Sequence, residues 1–273
     1  MALLRTTGNP PPSALLRFPF ILEPAELPTI EKKDDLVLVS PDYGWIQWAK
    51  GKGFRAVWLN PQGLSCPSVH PLHDQEIRDP RELQTPLEFK LPDLAEALEI
   101  LKREGVPENV VRHSLAVAGV AFFLAEKLRE KGIDVDPLRV HRGGLLHDLD
   151  KISSLSEGGD HGERAAQILA ELGYPKLGEI ARAHVLRPGR FPRNWPEKIV
   201  FLADKLVEGE EVVGLEARLS ALKERYPQFQ AEISAGEAFV RTLENQVLTV
   251  LGLTEPELLS ILRGRDLRLP DLA

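Results

Sequence analysis

The pattern of apolar and polar positions changes near Pro92. Before that residue, two short apolar runs at 36–39 and 56–59 predict buried strands, and the segment 43–50 between them is long enough for a short helix. This order predicts a βαβ-like unit. After Pro92, apolar residues recur at helical spacing almost throughout, which predicts a mainly helical region.

Prolines, glycines and acidic residues mark the predicted helix ends. We predict five helices within 107–208 and further helices over 214–226 and 236–251. One of the five begins at Asp160, which forms a capping-box-like pair with Glu163. The last of the five covers 196–208 and ends at Gly209.

Composition supports a division at the same place. Of the 22 prolines, 13 lie at or before Pro92, and three of the four tryptophans also precede it. The 43% of hydrophobic residues and the 27% of charged residues are typical of folded domains. We therefore predict a small α/β module over residues 1–92 and an all-helical domain over 93–273, so the fold class is mainly α.

Charge and cysteine content restrict the class of protein. A net charge of −7 argues against a surface that coats nucleic acid or an anionic membrane, and the single Cys66 cannot form an internal disulfide. No apolar leader occurs in 1–12, and the apolar run 115–125 is too short to span a bilayer. We expect a cytoplasmic protein without a membrane segment. Scarce Met, Asn and Gln beside frequent Pro, Arg and Glu are typical of thermophile proteins.

Four of the seven histidines fall in successive predicted helices, and the next helix carries an aspartate. These residues are His113, His147, His161, His184 and Asp204. Singly, each histidine is more often a packed or surface residue than a ligand. Together, ionisable side chains in apolar stretches are costly to bury unless they converge on a shared partner such as a metal ion.

Asp148 follows His147 directly, and neighbours on a helix point about 100° apart, so the pair suits two metal positions better than one. A bridging carboxylate with outer imidazoles is a ligand set for two divalent ions, with Fe or Mn favoured and Co, Ni or Zn accommodated. Two metals about 3.5–4 Å apart hold a bridging hydroxide that attacks a phosphate ester. In this interpretation, the catalytic residues are Asp148 and Lys151.

The order His113, His147-Asp148, Asp204 resembles the H…HD…D signature of the HD-superfamily metal-dependent phosphohydrolases, over residues 106–225. The resemblance implies that these four residues bind one metal. It also implies that the chain belongs to the binuclear subset of this family. In that subset His161 and His184 would bind a second metal, with Asp148 bridging.

Two further segments resemble the HD hydrolases that split diadenosine tetraphosphate symmetrically. They are Gly-Leu-Leu-His-Asp at 144–148 and Ala-Asp-Lys at 203–205. The HDIGK form of the motif reads His-Asp-Leu-Asp-Lys at 147–151, so Lys151 is retained while Asp150 replaces glycine. This replacement changes the expected shape and charge of the pocket.

Basic residues near these motifs are candidates for phosphate binding. Lys151 ranks first, followed by a cluster in which guanidinium groups suit bidentate phosphate contacts: Arg182, Arg187, Arg190 and Arg193. The alternative for each arginine is a surface ion pair. Lys205 points either inward or outward. We interpret His141 as structural, and His70 with His73 as an exposed pair.

Residues 35–86 resemble the closing segment of haloacid-dehalogenase-like hydrolases. No counterpart of the family's nucleophilic Asp-x-Asp motif precedes residue 35, where only Asp34-Asp35 occur, side by side. We therefore expect a catalytically silent βα module. A plain accessory fold is favoured over a module that shapes or covers the pocket or makes a subunit contact.

The combined prediction is a phosphohydrolase that cleaves a phosphoanhydride or phosphoester of a small nucleotide-like substrate, such as diadenosine tetraphosphate. Nucleic acid is not the expected partner, and a homo-oligomer is allowed. Two alternatives remain. An HD-type di-iron oxygenase would use the same ligands, and a non-catalytic nucleotide sensor or scaffold would keep the metal only for binding.

Overall fold

A computed structural model of the protein describes residues 2–4, 21–22, 36–79, 81–82, 89–157, 160–186 and 190–269. Asp34, Asp35 and Arg187 lie outside these ranges. The chain forms two compact units, with Leu94 at the end of the first and Ala95–Leu269 forming the second. The described residues are mainly helical with a small N-terminal sheet, which confirms the predicted fold class.

The first unit contains a parallel sheet in the order β2-β1-β3-β4-β5. Its strands are β1 (Ala2–Leu4), β2 (Ile21–Leu22), β3 (Leu36–Ser40), β4 (Arg55–Leu59) and β5 (Gln75–Ile77). Helix α1 (Tyr43–Gly51) connects β3 to β4 and begins where the Asp42 carboxylate accepts a hydrogen bond from Gly44 N at 2.8 Å. The predicted βαβ-like unit is therefore confirmed.

The two histidines of the first unit are more buried than the sequence indicates. His70 and His73 are fully buried, so the expected exposed pair is wrong. His73 Nδ1 lies 3.1 Å from the Tyr43 hydroxyl, which places this histidine in a buried polar cluster. A loop rich in proline predicts exposure only when nothing packs over it, and here α1 does.

The second unit is built from ten helices in the described residues, all after 93. They are α2 (Leu94–Arg103), α3 (Glu108–Glu130), α4 (Pro137–Leu146), α5 (Lys151–Glu157), α6 (Glu163–Glu171), α7 (Pro175–Ala183), α8 (Trp195–Asp204), α9 (Leu215–Arg225), α10 (Gln230–Leu251) and α11 (Glu255–Arg263). None of the described helices combines the length and apolar character needed to cross a bilayer.

Several predicted helix boundaries are corrected. Among the described residues between 107 and 208 there are six helices rather than five, because the short α5 follows α4 almost directly. Helix α6 has Gly162 as its N-cap, so the capping box at Asp160 is wrong. Helix α8 ends at Asp204, and Val207–Glu208 forms strand β6, which pairs with β7 (Glu211–Val212).

Helix α3 is the centre of the second unit, and α4 packs closely against it. A Cβ atom at Gly144 would lie 2.9 Å from the Cα of Ala118. A Cβ atom at Gly143 would lie 2.7 Å from the side chain of Ile180 on α7. The close approach of neighbouring helices therefore explains the two helical glycines. This approach positions the end of α4, which His147 directly follows.

Candidate metal centre

Six side chains predicted as metal ligands meet at one end of the helical unit. His113 lies on α3, His147 and Asp148 follow α4, His161 precedes α6, His184 follows α7, and Asp204 ends α8. All except His161 are buried. Because most of them stand at helix ends, the packing of the helices controls their convergence.

The four imidazoles share one orientation. In each ring, Nδ1 faces an oxygen that only accepts hydrogen bonds, so the neutral ring carries its proton on Nδ1 and its lone pair on Nε2. The Nδ1 distances are 2.9 Å from His113 to Gly209 O, 2.7 Å from His147 to Gly144 O, 2.6 Å from His184 to Ala181 O, and 2.7 Å from His161 to Asp150 Oδ1. Histidines that bind metals are held in this way.

The Nε2 atoms converge on two carboxylates. His113 Nε2 lies 3.1 Å from Asp204 Oδ1, and His147 Nε2 lies 3.8 Å from the same oxygen and 3.6 Å from Asp148 Oδ2. His147 Nε2 is buried and has no hydrogen-bond partner. A buried polar atom without a partner is costly. A cation at this position would satisfy it.

The other oxygen of Asp148 faces a second pair of rings. Asp148 Oδ1 lies 3.1 Å from His161 Nε2 and 3.4 Å from His184 Nε2. The two Nε2 atoms are 3.1 Å apart. The two oxygens of Asp148 therefore face different groups of nitrogen donors, which is the arrangement a bridging carboxylate requires.

Two sets of ligand atoms within 4.8 Å of one another arise among the described residues. They are His113, His147 and Asp204, and His147, Asp148 and His184. Buried imidazole nitrogens with carboxylate oxygens form a donor set suited to first-row divalent ions. The residues present thus fit a divalent metal centre.

Cationic side chains surround the carboxylates. Lys151 Nζ lies 2.5 Å from Asp148 Oδ2. Lys205 is buried, donates to His184 O at 3.1 Å and contacts Asp204 Oδ2, so it points inward. These contacts tie the ends of α7 and α8 together.

Arg218 on α9 is a buried residue at the centre that was not predicted from the sequence. Its Nε donates to Asp204 O at 3.2 Å, and its guanidinium also contacts Glu208. Leu215 and Leu219 on the same face are buried, so the signal was an arginine at an apolar helix spacing. Arg218 fixes the end of α8 from outside the predicted motif.

The carboxyls and imidazoles of the centre have pKa values that are shifted in different directions. Burial raises the pKa of the Asp148 and Asp204 carboxyls, but neighbouring cations outweigh it and hold each pKa well below its ordinary value. Burial lowers the pKa of His184 to about 4. Burial also opposes the charge on His161, yet hydrogen bonds from its ring to Asp148 and Asp150 raise its pKa to about 9. Without metal, one proton therefore lies on His161 Nε2, facing Asp148 and His184.

Asp150 explains the departure from the glycine of the HDIGK motif. Its side chain is 1% exposed and accepts hydrogen bonds from Gly162 N at 2.8 Å and Ala165 N at 3.1 Å, beside its contact with His161. The extra carboxylate is therefore held inside the protein at the start of α6. The sequence shows the replacement but not its burial.

The arginines proposed for substrate binding lie in an exposed ion-pair cluster. Arg182 donates to Glu163 at 2.7 and 2.9 Å, and Arg190 Nη1 lies 3.1 Å from Asp160 Oδ2. Their contact with substrate stays a prediction, and Arg187 lies outside the described residues. His141 is buried with its Nδ1 2.7 Å from Arg142 Nη1, in line with its structural interpretation.

The fold and the centre define a helical protein with a buried His/Asp site for divalent metal. Comparison with known sequences adds the family: the HD domain model matches residues 110–209. The uncharacterized protein MJ0778 of Methanocaldococcus jannaschii is 36% identical over 148 residues, which cover 49% of this chain and 86% of that protein. The chain belongs to the HD-domain superfamily of metal-dependent phosphohydrolases.

Two ribonucleases Y share a shorter region. That of Pseudothermotoga lettingae is 42% identical over 83 residues, which cover 30% of this chain and 15% of the ribonuclease. That of Aquifex aeolicus is 32% identical over 126 residues, which cover 44% of this chain and 22% of the ribonuclease. The chain therefore spans less than a quarter of these two relatives. No solved structure matched the chain.

Proposed function

We propose that the helical unit hydrolyses a phosphoanhydride or phosphoester bond of a nucleotide-like substrate at a centre of two divalent metal ions. The observation that carries this proposal is the placement of the two Asp148 oxygens. One faces His147, and the other faces His161 and His184. Fe or Mn suits the mixed nitrogen and oxygen donors best, and Co, Ni or Zn is accommodated.

Divalent ions held by these six residues would supply Lewis acidity and a water of lowered pKa. The protein's own groups prepare the site for them. Asp148 and Asp204 stay ionised because cations hold their pKa values down. Lys205 and Arg218 fix the Asp204 end of the centre through contacts with its carboxylate and backbone.

Lys151 is the side chain best placed to bind a phosphoryl oxygen. Burial works against its ammonium form, but the Asp148 carboxylate raises the pKa of Lys151 above its ordinary value. The amine is therefore protonated at neutral pH and acts as a donor rather than as a base. Its side chain is 26% exposed, so an anion reaches the ammonium without displacing the buried ligands.

The substrate proposed first is a small nucleotide, with diadenosine tetraphosphate as the specific candidate, because the segments 144–148 and 203–205 resemble enzymes that split it. The similarity to ribonuclease Y favours a second candidate, the phosphodiester bond of RNA. The net charge of −7 favours the small nucleotide over a long polyanion. Self-association and a catalytically silent N-terminal module belong to the same proposal.

The test is product chromatography with Mn- and Fe-loaded protein. The panel contains dinucleoside polyphosphates, nucleoside mono- to triphosphates, guanosine tetraphosphate and a short RNA. ADP as the sole product from diadenosine tetraphosphate would identify the reaction and the position of attack, whereas shortened RNA would select the second candidate. His147→Ala, which removes a buried ligand, should abolish either activity, while Lys127→Gln, which breaks a surface pair with Glu130, should leave it unchanged.

The oxygenase and sensor alternatives are distinguished from the hydrolase by the same panel and two further measurements. An intact panel with metal bound would overturn the proposed hydrolase. Oxygen uptake by the Fe-loaded protein would then select the oxygenase, and tight nucleotide binding without turnover would select the sensor.

A further inference from the structure

Asp150 stands at a position where the related motif carries glycine. It directly precedes α5, and its buried carboxylate contacts the start of α6. A buried carboxylate is tolerated only when its oxygens accept several hydrogen bonds. Asp150 meets this condition with one oxygen on His161 Nδ1 and the other on two backbone N–H groups. Each oxygen therefore has a separate function.

Oδ2 of Asp150 completes the start of α6. The first N–H groups of a helix have no partner inside the helix, and the N-cap residue Gly162 has no side chain to supply one. Asp150 supplies the missing acceptor from another part of the chain, at 2.8 Å from Gly162 N and 3.1 Å from Ala165 N. A Cβ atom at Gly162 would lie 2.6 Å from Ala181 O, so only glycine allows this approach.

Oδ1 of Asp150 holds a proton on Nδ1 of the His161 ring. The other three rings of the centre donate their Nδ1 proton to backbone carbonyls, whereas His161 donates to a carboxylate at 2.7 Å. A charged acceptor holds the proton on Nδ1 more firmly than a carbonyl does, and it makes Nε2 a stronger donor to metal. Nε2 of His161 faces Asp148 Oδ1 and His184.

We propose that Asp150 is the positioning residue of the second metal site. It keeps a proton on His161 Nδ1, so that Nε2 is the atom that exchanges its proton for a divalent ion, together with His184 and Asp148. This inference rests on the proposed function only for the presence of two metals. It assigns Asp150 no contact with substrate or metal.

Asp150→Asn separates the two functions of the carboxylate. The asparagine oxygen is needed by the two backbone N–H groups, so the amide N–H₂, which only donates, turns toward His161 Nδ1. The ring must then accept at Nδ1, which leaves the Nε2 proton as its only one. A neutral imidazole does not release its last proton at neutral pH, so Nε2 stays blocked to metal in the variant, whereas the wild-type ring keeps Nδ1–H and releases the Nε2 proton. The cap of α6 is kept, so the variant is expected to fold.

The experiment is calorimetric titration of the full chain with Mn²⁺ alone, with bound metal counted by elemental analysis. Wild type should bind two ions. Asp150→Asn should bind the first ion with wild-type affinity and the second about 10- to 100-fold more weakly. Asp160→Asn, which removes a neighbouring exposed carboxylate, should behave as wild type.

A second readout reports the ring directly. In the Zn²⁺-loaded wild type, long-range ¹H–¹⁵N spectra should show the His161 proton on Nδ1, and in Asp150→Asn this signal should be lost. A merely structural aspartate would weaken both metals equally and leave the tautomer unchanged.

The outcomes are distinct. Two ions bound with wild-type affinities in Asp150→Asn would overturn the role of Asp150 while leaving the proposed function intact. Fewer than two ions in wild type would overturn the second site itself, and with it both this inference and the two-metal form of the proposed function.

Discussion

His161 Nε2 and His184 Nε2 lie 3.1 Å apart, and the Nδ1 atom of each ring faces an oxygen that accepts a hydrogen bond. Only one proton, or one cation, fits between the two nitrogens. The raised pKa of His161 and the lowered pKa of His184 show which ring carries the proton when no metal is bound.

Metal binding at this pair should release a proton. Because the pKa of His161 is raised to about 9, its ring must lose a proton before Nε2 binds metal at neutral pH. Affinity for Mn²⁺ should therefore rise with pH, by up to about tenfold per pH unit below 9 for one displaced proton. Calorimetry in two buffers of different ionisation enthalpy measures the proton directly. An affinity that is flat between about pH 6.5 and 8.5 would contradict this assignment.

Lys151 should affect turnover more than metal content. Lys151→Gln removes an ammonium donor beside Asp148, and we expect kcat to fall roughly 100-fold, as for other preorganised charged donors. Steady-state kinetics on the substrate found by the panel provides the measurement. Lys151→Arg should recover part of the loss. Lys127→Gln, which breaks a surface pair with Glu130, is the matched control. An unchanged kcat in Lys151→Gln would remove the residue from the site.

Arg182 can be tested against its own ion-pair partner. If Arg182 binds substrate phosphate, Arg182→Gln should raise KM several-fold without changing kcat. Glu163→Gln breaks the same exposed pair but leaves the guanidinium available, so KM should stay level or fall. An exposed pair contributes at most about 1 kcal/mol, so both variants should be as stable as wild type. Equal KM values in the two variants would identify Arg182 as a surface residue only.

Gly144 should be intolerant of a side chain. Gly144→Ala places a methyl group 2.9 Å from the Cα of Ala118, and a backbone atom cannot yield as a side chain can. We expect the free energy of unfolding to fall by about 1–3 kcal/mol in urea denaturation. Gly264→Ala meets no atom closer than 3.5 Å and should be nearly neutral. Equal stability of the two variants would mean that α3 and α4 separate more easily than their packing indicates.

Glu244 on α10, outside the metal centre, should make the stability of the protein depend on pH. Burial, followed by repulsion from Glu255, raises its pKa from 4.5 to about 7. The folded state therefore holds a proton that the unfolded state releases, and the stability it contributes is present below about pH 4.5 and is lost as pH rises toward 7. Glu244→Gln should unfold at higher urea than wild type near pH 8, and the difference should vanish near pH 4.5.

The control for that experiment is Glu224→Gln on the exposed face of α9. Its stability difference from wild type should stay constant across the same pH range. A constant difference for Glu244→Gln as well would contradict the raised pKa.

Sequence alone predicted the mainly α fold and a set of histidines and aspartates that the structure brings together. The prediction worked because these residues lie within or directly beside strongly apolar helices, where an ionisable group needs a partner. Gly143 and Gly144 were also interpretable, since a glycine inside a helix marks close packing.

The remaining features depend on which groups meet in three dimensions. Nothing local distinguishes a buried Asp150 from a surface charge, because its partner Gly162 lies 12 residues away. Arg218 has a local signal in its apolar helix spacing, but its partner Asp204 lies 14 residues away and is not indicated by that spacing. The cap of α6 was misassigned for the same reason, since its side-chain acceptor comes from Asp150 rather than from Asp160. Tertiary hydrogen bonds, not local propensity, decide these positions.

His113 and Asp204 are separated by 91 residues and meet at 3.1 Å. An ion bound by both would act as a crosslink that closes a long loop, in the manner of a disulfide, and long loops lose the most entropy in the unfolded chain when they are closed. Removing the ion should therefore expose α3 and α8 to amide exchange together. In this protein, metal content would therefore determine how often the helical unit unfolds.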